Sequence, residues 1–202
     1  MKGYSLVSLK DMAEELGEKR TEKILSQFLC PLNKDVESFF HNSAISLAKQ
    51  NISVTQLVFA SYKQAPVIAG YFTLANKNIM IANKNMSNTT KKRISKFGVF
   101  DPDMKGYRIS APLIAQMGKN YANGYNSLIT GDELLHIACS KVVQAQELIG
   151  GKIVYLECED KIPLIDFYQS NGFVNFGHRA LDRDETAVLT GQYLIQMLKY
   201  LK

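Results

Sequence analysis

The stretch that most restricts the fold is G-D-E-L-L-H-I-A-C-S-K-V-V-Q-A-Q-E-L-I, Gly131–Ile149. Leu134, Leu135, Ala138, Val142, Ala145 and Leu148 recur in it at helical spacing. One long helix with an apolar face is predicted, ended by Gly150-Gly151. Strand-like runs flank it: R-I-S-A-P-L-I-A-Q-M-G at 108–118 and I-V-Y-L-E-C-E at 153–159. Strand, long helix and strand in that order make a crossover between two neighbouring parallel strands. A helix that starts beside the C-terminal end of a strand presents a natural anion site.

The other segments arrange themselves around this unit. Residues 8–28 read as helix, with Ser8 as N-cap and Gly17 as a break. Residues 34–50 read as a second helix, with Val36, Phe39, Phe40, Ala44 and Leu47 on one face. Strands at 53–62 and 67–75 form a hairpin across Lys63-Gln64-Ala65-Pro66. A polar region with short helical pieces covers 83–98. A short helix starts at Pro163 and stops at Asn171-Gly172, and strands at 173–181 and 192–201 close the chain. The pattern is mixed α/β with a mostly antiparallel sheet.

Composition excludes several classes. At 202 residues, 46% of them hydrophobic, the chain can bury a core without staples. Cys30, Cys139 and Cys158 are too scattered for a metal site and read as reduced, buried thiols. His41, His136 and His178 lie on separate elements, so no metal is expected. No apolar run approaches the ~20 residues that span a bilayer, and the N-terminus turns acidic too early for a secretory signal. A soluble, cytoplasmic protein is expected. The net charge of +5 is compatible with a polyanionic ligand, and its densest cluster is K-K-R-I-S-K, Lys91 to Lys96. That cluster also reads as a solvated loop or short helix.

The chemistry centres on two places. The first is the loop Lys119 to Glu133, which leaves a strand and enters the long helix. The amides of Ile129, Thr130, Gly131 and Asp132 would point outward there with the helix dipole behind them, and a pyrophosphate would fit. The same residues also read as a plain capped helix, with Thr130 as N-cap and Glu133 as its capping-box partner. The second place is F-Y-Q-S-N-G-F, Phe167 to Phe173, where a tyrosine stands just before a helix-ending Asn-Gly.

Together these resemble the GNAT N-acetyltransferases. N-S-L-I-T-G, Asn126 to Gly131, is similar to that family's pyrophosphate turn, Q/R-x-x-G-x-G/A. It agrees at the last glycine, with Asn126 in place of Gln/Arg and Ile129 in place of the first glycine. Phe167 to Phe173 resembles the family's aromatic-Tyr-x-x-x-Gly-Phe element, and V-Y-L-E-C-E-D-K the strand and turn before it. Lys161 stands where the family often has Asn. The front half, D-V-E-S-F-F-H-N-S-A-I-S-L-A-K-Q-N, T-Q-L-V-F and V-I-A-G-Y-F-T-L-A, is similar to the branch that includes toxin–antitoxin acetyltransferases. The resemblance covers residues 31–178, and the helix at 8–28 looks like an addition.

The resemblance implies a single GNAT domain over 1–202, its mostly antiparallel sheet holding a central splayed parallel strand pair between flanking helices. It implies an N-acetyltransferase that uses acetyl-CoA and no metal. An amine attacks the thioester directly, and Tyr168 is the general acid. A phenol with pKa ~10 gives a proton to a thiolate of conjugate pKa ~8.5 only with help from position and a dry site. The main chain of Met117, Gly118 and Lys119 would bind the pantetheine arm, and Asn126, Ile129, Thr130, Gly131 and Asp132 the pyrophosphate. Glu157 and Glu159 alternate onto one strand face, where either could take the amine proton through water or be a polar strand end. The implied acceptor is the amino group of aminoacyl-tRNA. A protein or small-molecule amine, or an inactive binding module, are the rival readings. The branch also implies an antitoxin protein partner, and related enzymes are often homodimers.

Overall fold

The computed structural model describes residues 3–182 and 192–201. In chain order its elements are β1 (Ser5–Ser8), α1 (Leu9–Leu16), α2 (Glu18–Leu25), α3 (Lys34–Asn42) and α4 (Ala44–Lys49). Then come β2 (Val54–Tyr62), β3 (Ala65–Ala82), α5 (Asn88–Ile94), β4 (Val99–Asp101) and β5 (Gly106–Lys119). The chain closes with α6 (Gly131–Ile149), β6 (Ile153–Glu159), α7 (Ile162–Ser170), β7 (Val174–Ala180) and β8 (Tyr193–Tyr200). The crossover predicted from the sequence is β5-α6-β6, and β5 and β6 are the parallel pair of a mostly antiparallel sheet. No helix among the described residues is long and apolar enough to cross a membrane.

Several expected elements are longer, shorter or divided. The helix at 34–50 is two, α3 and α4, which meet at Ser43, where φ is −119° and ψ −30°. The helix at 8–28 divides at Gly17 into α1 and α2 and ends at Leu25. The strand at 67–75 runs on to Ala82 through the polar Asn76-Lys77-Asn78. β1 and β4 are new, four and three residues long.

The chain divides into two compact units. The first comprises residues through Ala75 together with Ile114–Ala138. Its strands follow the order β1-β2-β3-β5. Tyr62 pairs with Ala65 across a two-residue turn in which Lys63 and Gln64 both take the left-handed backbone a tight hairpin needs. Asn33 caps α3 by accepting from the amides of Asp35 and Val36 at 3.0 and 3.2 Å. That helix delivers Phe40 onto Tyr71, ring centroids 4.1 Å apart, with Phe28 against both. The Tyr71 hydroxyl donates to the Val36 carbonyl at 2.6 Å, so the buried phenol is satisfied.

The second unit comprises Asn76–Leu113 and residues from Cys139 onward. Its strand order is β3-β5-β6-β8-β7, with β4 beside the start of β5. β6 pairs with β8 along its whole length, from Ile153 opposite Tyr200 to Glu159 opposite Leu194. Ile81, Ile94, Ile109, Ile153, Phe176 and Leu198 share its core. Gln146 is buried and donates its side-chain amide to the Ile153 carbonyl at 2.9 Å, fixing the end of α6 to the start of β6. The three cysteines are buried free thiols.

Candidate active site

In the first unit, the end of β5 and the turn into α6 are held from below. Asn120, 3% exposed, donates to the Ile68 carbonyl at 2.8 Å. Its side-chain oxygen accepts from the amides of Leu29 and Ala122 at 3.1 and 3.0 Å. Its backbone amide donates to the Ala69 carbonyl at 2.8 Å. Each of these groups would otherwise be a buried polar orphan. On β5, Gly118 points inward, toward Val36 and Phe28, so Met117 and Lys119 lie on the opposite face. Lys119 donates to the Asn126 carbonyl at 3.1 Å, closing the base of the turn.

The turn itself is a capped helix start. The Thr130 amide donates to Glu133 Oε2 at 2.8 Å, and the Glu133 amide to Thr130 Oγ1 at 3.1 Å. This is a reciprocal capping box. The amides of Ile129 and Gly131 make no hydrogen bond among the described residues. Ile129 is 1% exposed, so the residue is packed into the turn, while Gly131 beside it is half-buried. Tyr4 donates to the Leu128 carbonyl at 3.1 Å. Burial, and then the neighbouring Glu133 carboxylate, push its phenol up to about 12. The chemistry of this donor set fits an anionic group such as a pyrophosphate: amides without a partner among the described residues, and a 19-residue helix behind them. Asp132, exposed in the first turn, and the Glu133 carboxylate on the Thr130 amide are the opposing charges.

In the second unit, the Asn171-Gly172 step explains the tyrosine that precedes it. Gly172 takes φ +82°, its amide donates to the Gln169 carbonyl at 2.9 Å, and the Phe173 amide donates to the Tyr168 carbonyl at 3.0 Å. That pair of bonds is a Schellman cap. Its usual apolar contact is here Phe173, 1% exposed, edge-on to the Tyr168 ring with centroids 5.9 Å apart. Phe167 also packs against the ring, with centroids 5.0 Å apart. The ring is therefore fixed, while the Tyr168 hydroxyl makes no hydrogen bond among the described residues. Burial holds the phenol well above its ordinary value, with the charge of a Cys158 thiolate as the second cause. Cys158 itself is pushed up to about 11, by burial first and then by Asp160 and Glu159. At neutral pH both groups keep their protons.

The two carboxylates of β6 occupy the other face of that strand. Glu157 accepts from Arg179 Nε at 2.7 Å and from Gln196 Nε2 at 2.8 Å, so both its oxygens are engaged. Glu159, 8% exposed, is paired with Lys161 at 2.9 Å. Beyond them Tyr193 donates to Asp160 at 2.8 Å and packs against His178. Arg179, Gln196 and Tyr193 carry no motif and lie 22 to 39 residues from their partners, so no local sequence signal marks them. A cavity of about 240 Å³ lined by Asn76, Phe97, Ser110, Gln146 and Lys152 sits at the opposite end of β6, beside Ile153, away from Tyr168.

The fold defined by these elements is shared with solved toxins. The chain superposes on a tyrosine-to-phenylalanine mutant of the toxin AtaT with a TM-score of 0.63 and 15% identity, covering 99% of this chain and 91% of that one. It superposes on a tyrosine-to-phenylalanine mutant of KacT with a TM-score of 0.61 and 13% identity, covering 96% and 93%. AtaT complexed with acetyl-methionyl-tRNAfMet matches with a TM-score of 0.59 and 13% identity, covering 96% and 94%. The chain has the GNAT fold. No protein-family model matches it, and no curated protein is similar to it in sequence.

Proposed function

We propose that the chain is an acetyl-CoA-dependent N-acetyltransferase whose acceptor is the amino group of an aminoacyl-tRNA. The observation that carries this reading is Tyr168, with its ring clamped by the Schellman cap and its hydroxyl without a hydrogen bond among the described residues. The GNAT fold supports it, as do two likenesses in fold: AtaT with acetyl-methionyl-tRNAfMet, and AtaTR bound with AcCoA. An antitoxin partner is part of the same reading, because another matching structure is AtaT bound to the C-terminus of the antitoxin AtaR.

In this reading acetyl-CoA supplies an activated acetyl thioester, and the chain's residues do the rest. The backbone of Ile129, Thr130, Gly131 and Asp132 takes the pyrophosphate, which displaces the Glu133 carboxylate from the Thr130 amide, with Asn126 and Lys119 closing the turn beneath it. The main chain of Met117, Gly118 and Lys119 takes the amide-bearing arm. The acceptor nitrogen forms a bond to the acetyl carbon as the carbon–sulfur bond breaks. Tyr168 gives its phenolic proton to the departing sulfur. The nitrogen's surplus proton leaves through water, directly or by way of Glu159. Glu157 holds Arg179 and Gln196 in place.

The experiment is acetyl transfer from acetyl-CoA to charged tRNA by the purified protein and by Tyr168→Phe. Turnover should fall about 100-fold or more, the ordinary contribution of a positioned acid, with acetyl-CoA affinity nearly unchanged. Turnover near that of the wild type would remove Tyr168 from the chemistry.

A further inference from the structure

The chain's positive charge is concentrated in one segment. It holds 24 Lys and Arg against 19 Asp and Glu. Residues 76–100 carry six of those cations and no acid, which leaves 18 cations against 19 acids everywhere else. The whole excess therefore sits in 25 residues of the second unit. Lys77, Lys84, Lys91, Lys92, Arg93 and Lys96 make no ion pair among the described residues. Lys10, Lys19 and Lys23 of α1 and α2 are likewise without an ion pair but stand among acids, so what sets the segment apart is its density of cations with no acid between them.

The segment is fixed from underneath while its cations stay outside. Ile94 of α5 is 1% exposed in the core. Ser87 caps α5 by accepting from the Thr90 amide at 3.2 Å. The Asn83 amide donates to the Lys105 carbonyl at 3.0 Å, and Asn85 donates its side-chain amide to the Phe176 carbonyl at 2.8 Å, at the bulge of β7. The Arg93 guanidinium lies over the Tyr200 ring, 5.2 Å from its centre. Ordered backbone beneath unpaired cations lowers the entropy lost when a polyanion docks. The surrounding side chains suit a nucleic acid better than an acidic protein. Asn, Ser and Thr occupy much of the segment and offer donors to phosphate and sugar. Phe97 and Phe100 stand 38% and 46% exposed at its end, as faces on which bases stack.

We propose that residues 76–100 form an RNA-binding element, in which Lys91, Lys92 and Lys96 neutralise phosphates on the body of the acceptor RNA. The proposal rests on the aminoacyl-tRNA reading above and assigns RNA affinity to a part of the chain separate from Tyr168 and the 129–132 turn.

The test is binding of uncharged tRNA, titrated between about 50 and 200 mM salt, where such contacts are most visible. The protein is compared with Lys91→Gln/Lys92→Gln/Lys96→Gln and with a control, Lys10→Gln/Lys19→Gln/Lys23→Gln, that removes the same charge from α1 and α2. The first variant should lose on the order of tenfold or more in affinity, and the slope of log affinity against log salt should shrink by about three. The control should stay close to wild type. Acetyl-CoA binding, and acetylation of a simple amino-acid ester, should be the same in all three proteins. Wild-type RNA binding in the first variant, or an equal loss in the control, would overturn the proposal. So would competition by poly-glutamate as effective as that by RNA. Failure of the acetyltransferase reading looks different: the wild type would bind RNA and acetylate nothing.

Discussion

At Tyr168, position and protonation come from different neighbours. The ring is placed by Phe167, Phe173 and the cap at Gly172, while burial disfavours the phenolate and holds the phenol above its ordinary value. Gly172→Ala separates the two. Its φ of +82° lies where a Cβ is strained, so the variant should lose about 1 kcal/mol of stability. The cap bonds should weaken with it, the ring should move, and kcat should fall while acetyl-CoA affinity holds. A melting curve beside an activity assay checks both. Unchanged kcat with lowered stability would mean the cap does not place the acid. The seven residues from Phe167 to Phe173 were legible in the sequence because the whole device is local. Asn120 was not, because its partners lie 52 and 91 residues away. Neither was the Glu157–Arg179–Gln196 set, in which a strand residue is tied to two others by tertiary pairing alone.

Among elements, α6 does most to organise the fold, and its start serves two demands that pull apart. An acidic side chain in the first turn favours the helix through the dipole, by up to about 1 kcal/mol, and repels a bound phosphate by the same charge. Gly131→Glu therefore carries opposite expectations for stability and for ligand. Its melting temperature should be equal or higher, and its affinity for acetyl-CoA should fall about 100-fold or more, read by titration calorimetry and set by a carboxylate facing a pyrophosphate. Unchanged affinity would show that the turn is not the phosphate site. α6, β6 and α7 were readable in advance because long apolar periodicity and glycine or proline boundaries leave few alternatives. β1 and β4 were not, because four and three residues carry too little alternation to stand out. β3 was read short because Asn76-Lys77-Asn78 breaks the apolar pattern, while the ladder continues through the polar residues to Ala82.

For the molecule as a whole, ligand linkage separates binding from chemistry. A ligand that binds the native state alone stabilises it by about 2.7 kcal/mol at a hundredfold excess over its dissociation constant. In a chain of roughly 200 residues each kcal/mol moves the midpoint by about 2–4 °C, so saturating acetyl-CoA should raise the melting temperature by roughly 5–10 °C. Tyr168→Phe should show the same shift as the wild type, because a proton donor to the departing sulfur contributes in the transition state and little in the ground state. Gly131→Glu should show almost none. The three curves discriminate between the readings of the fold. A shift in the wild type without turnover on any amine would make the chain a CoA-binding module. No shift in any of the three would leave the capping box at Thr130 and Glu133 as a helix start and nothing more. A full shift in Tyr168→Phe, together with lost turnover on charged tRNA, is the result that the clamped ring and the unengaged hydroxyl predict.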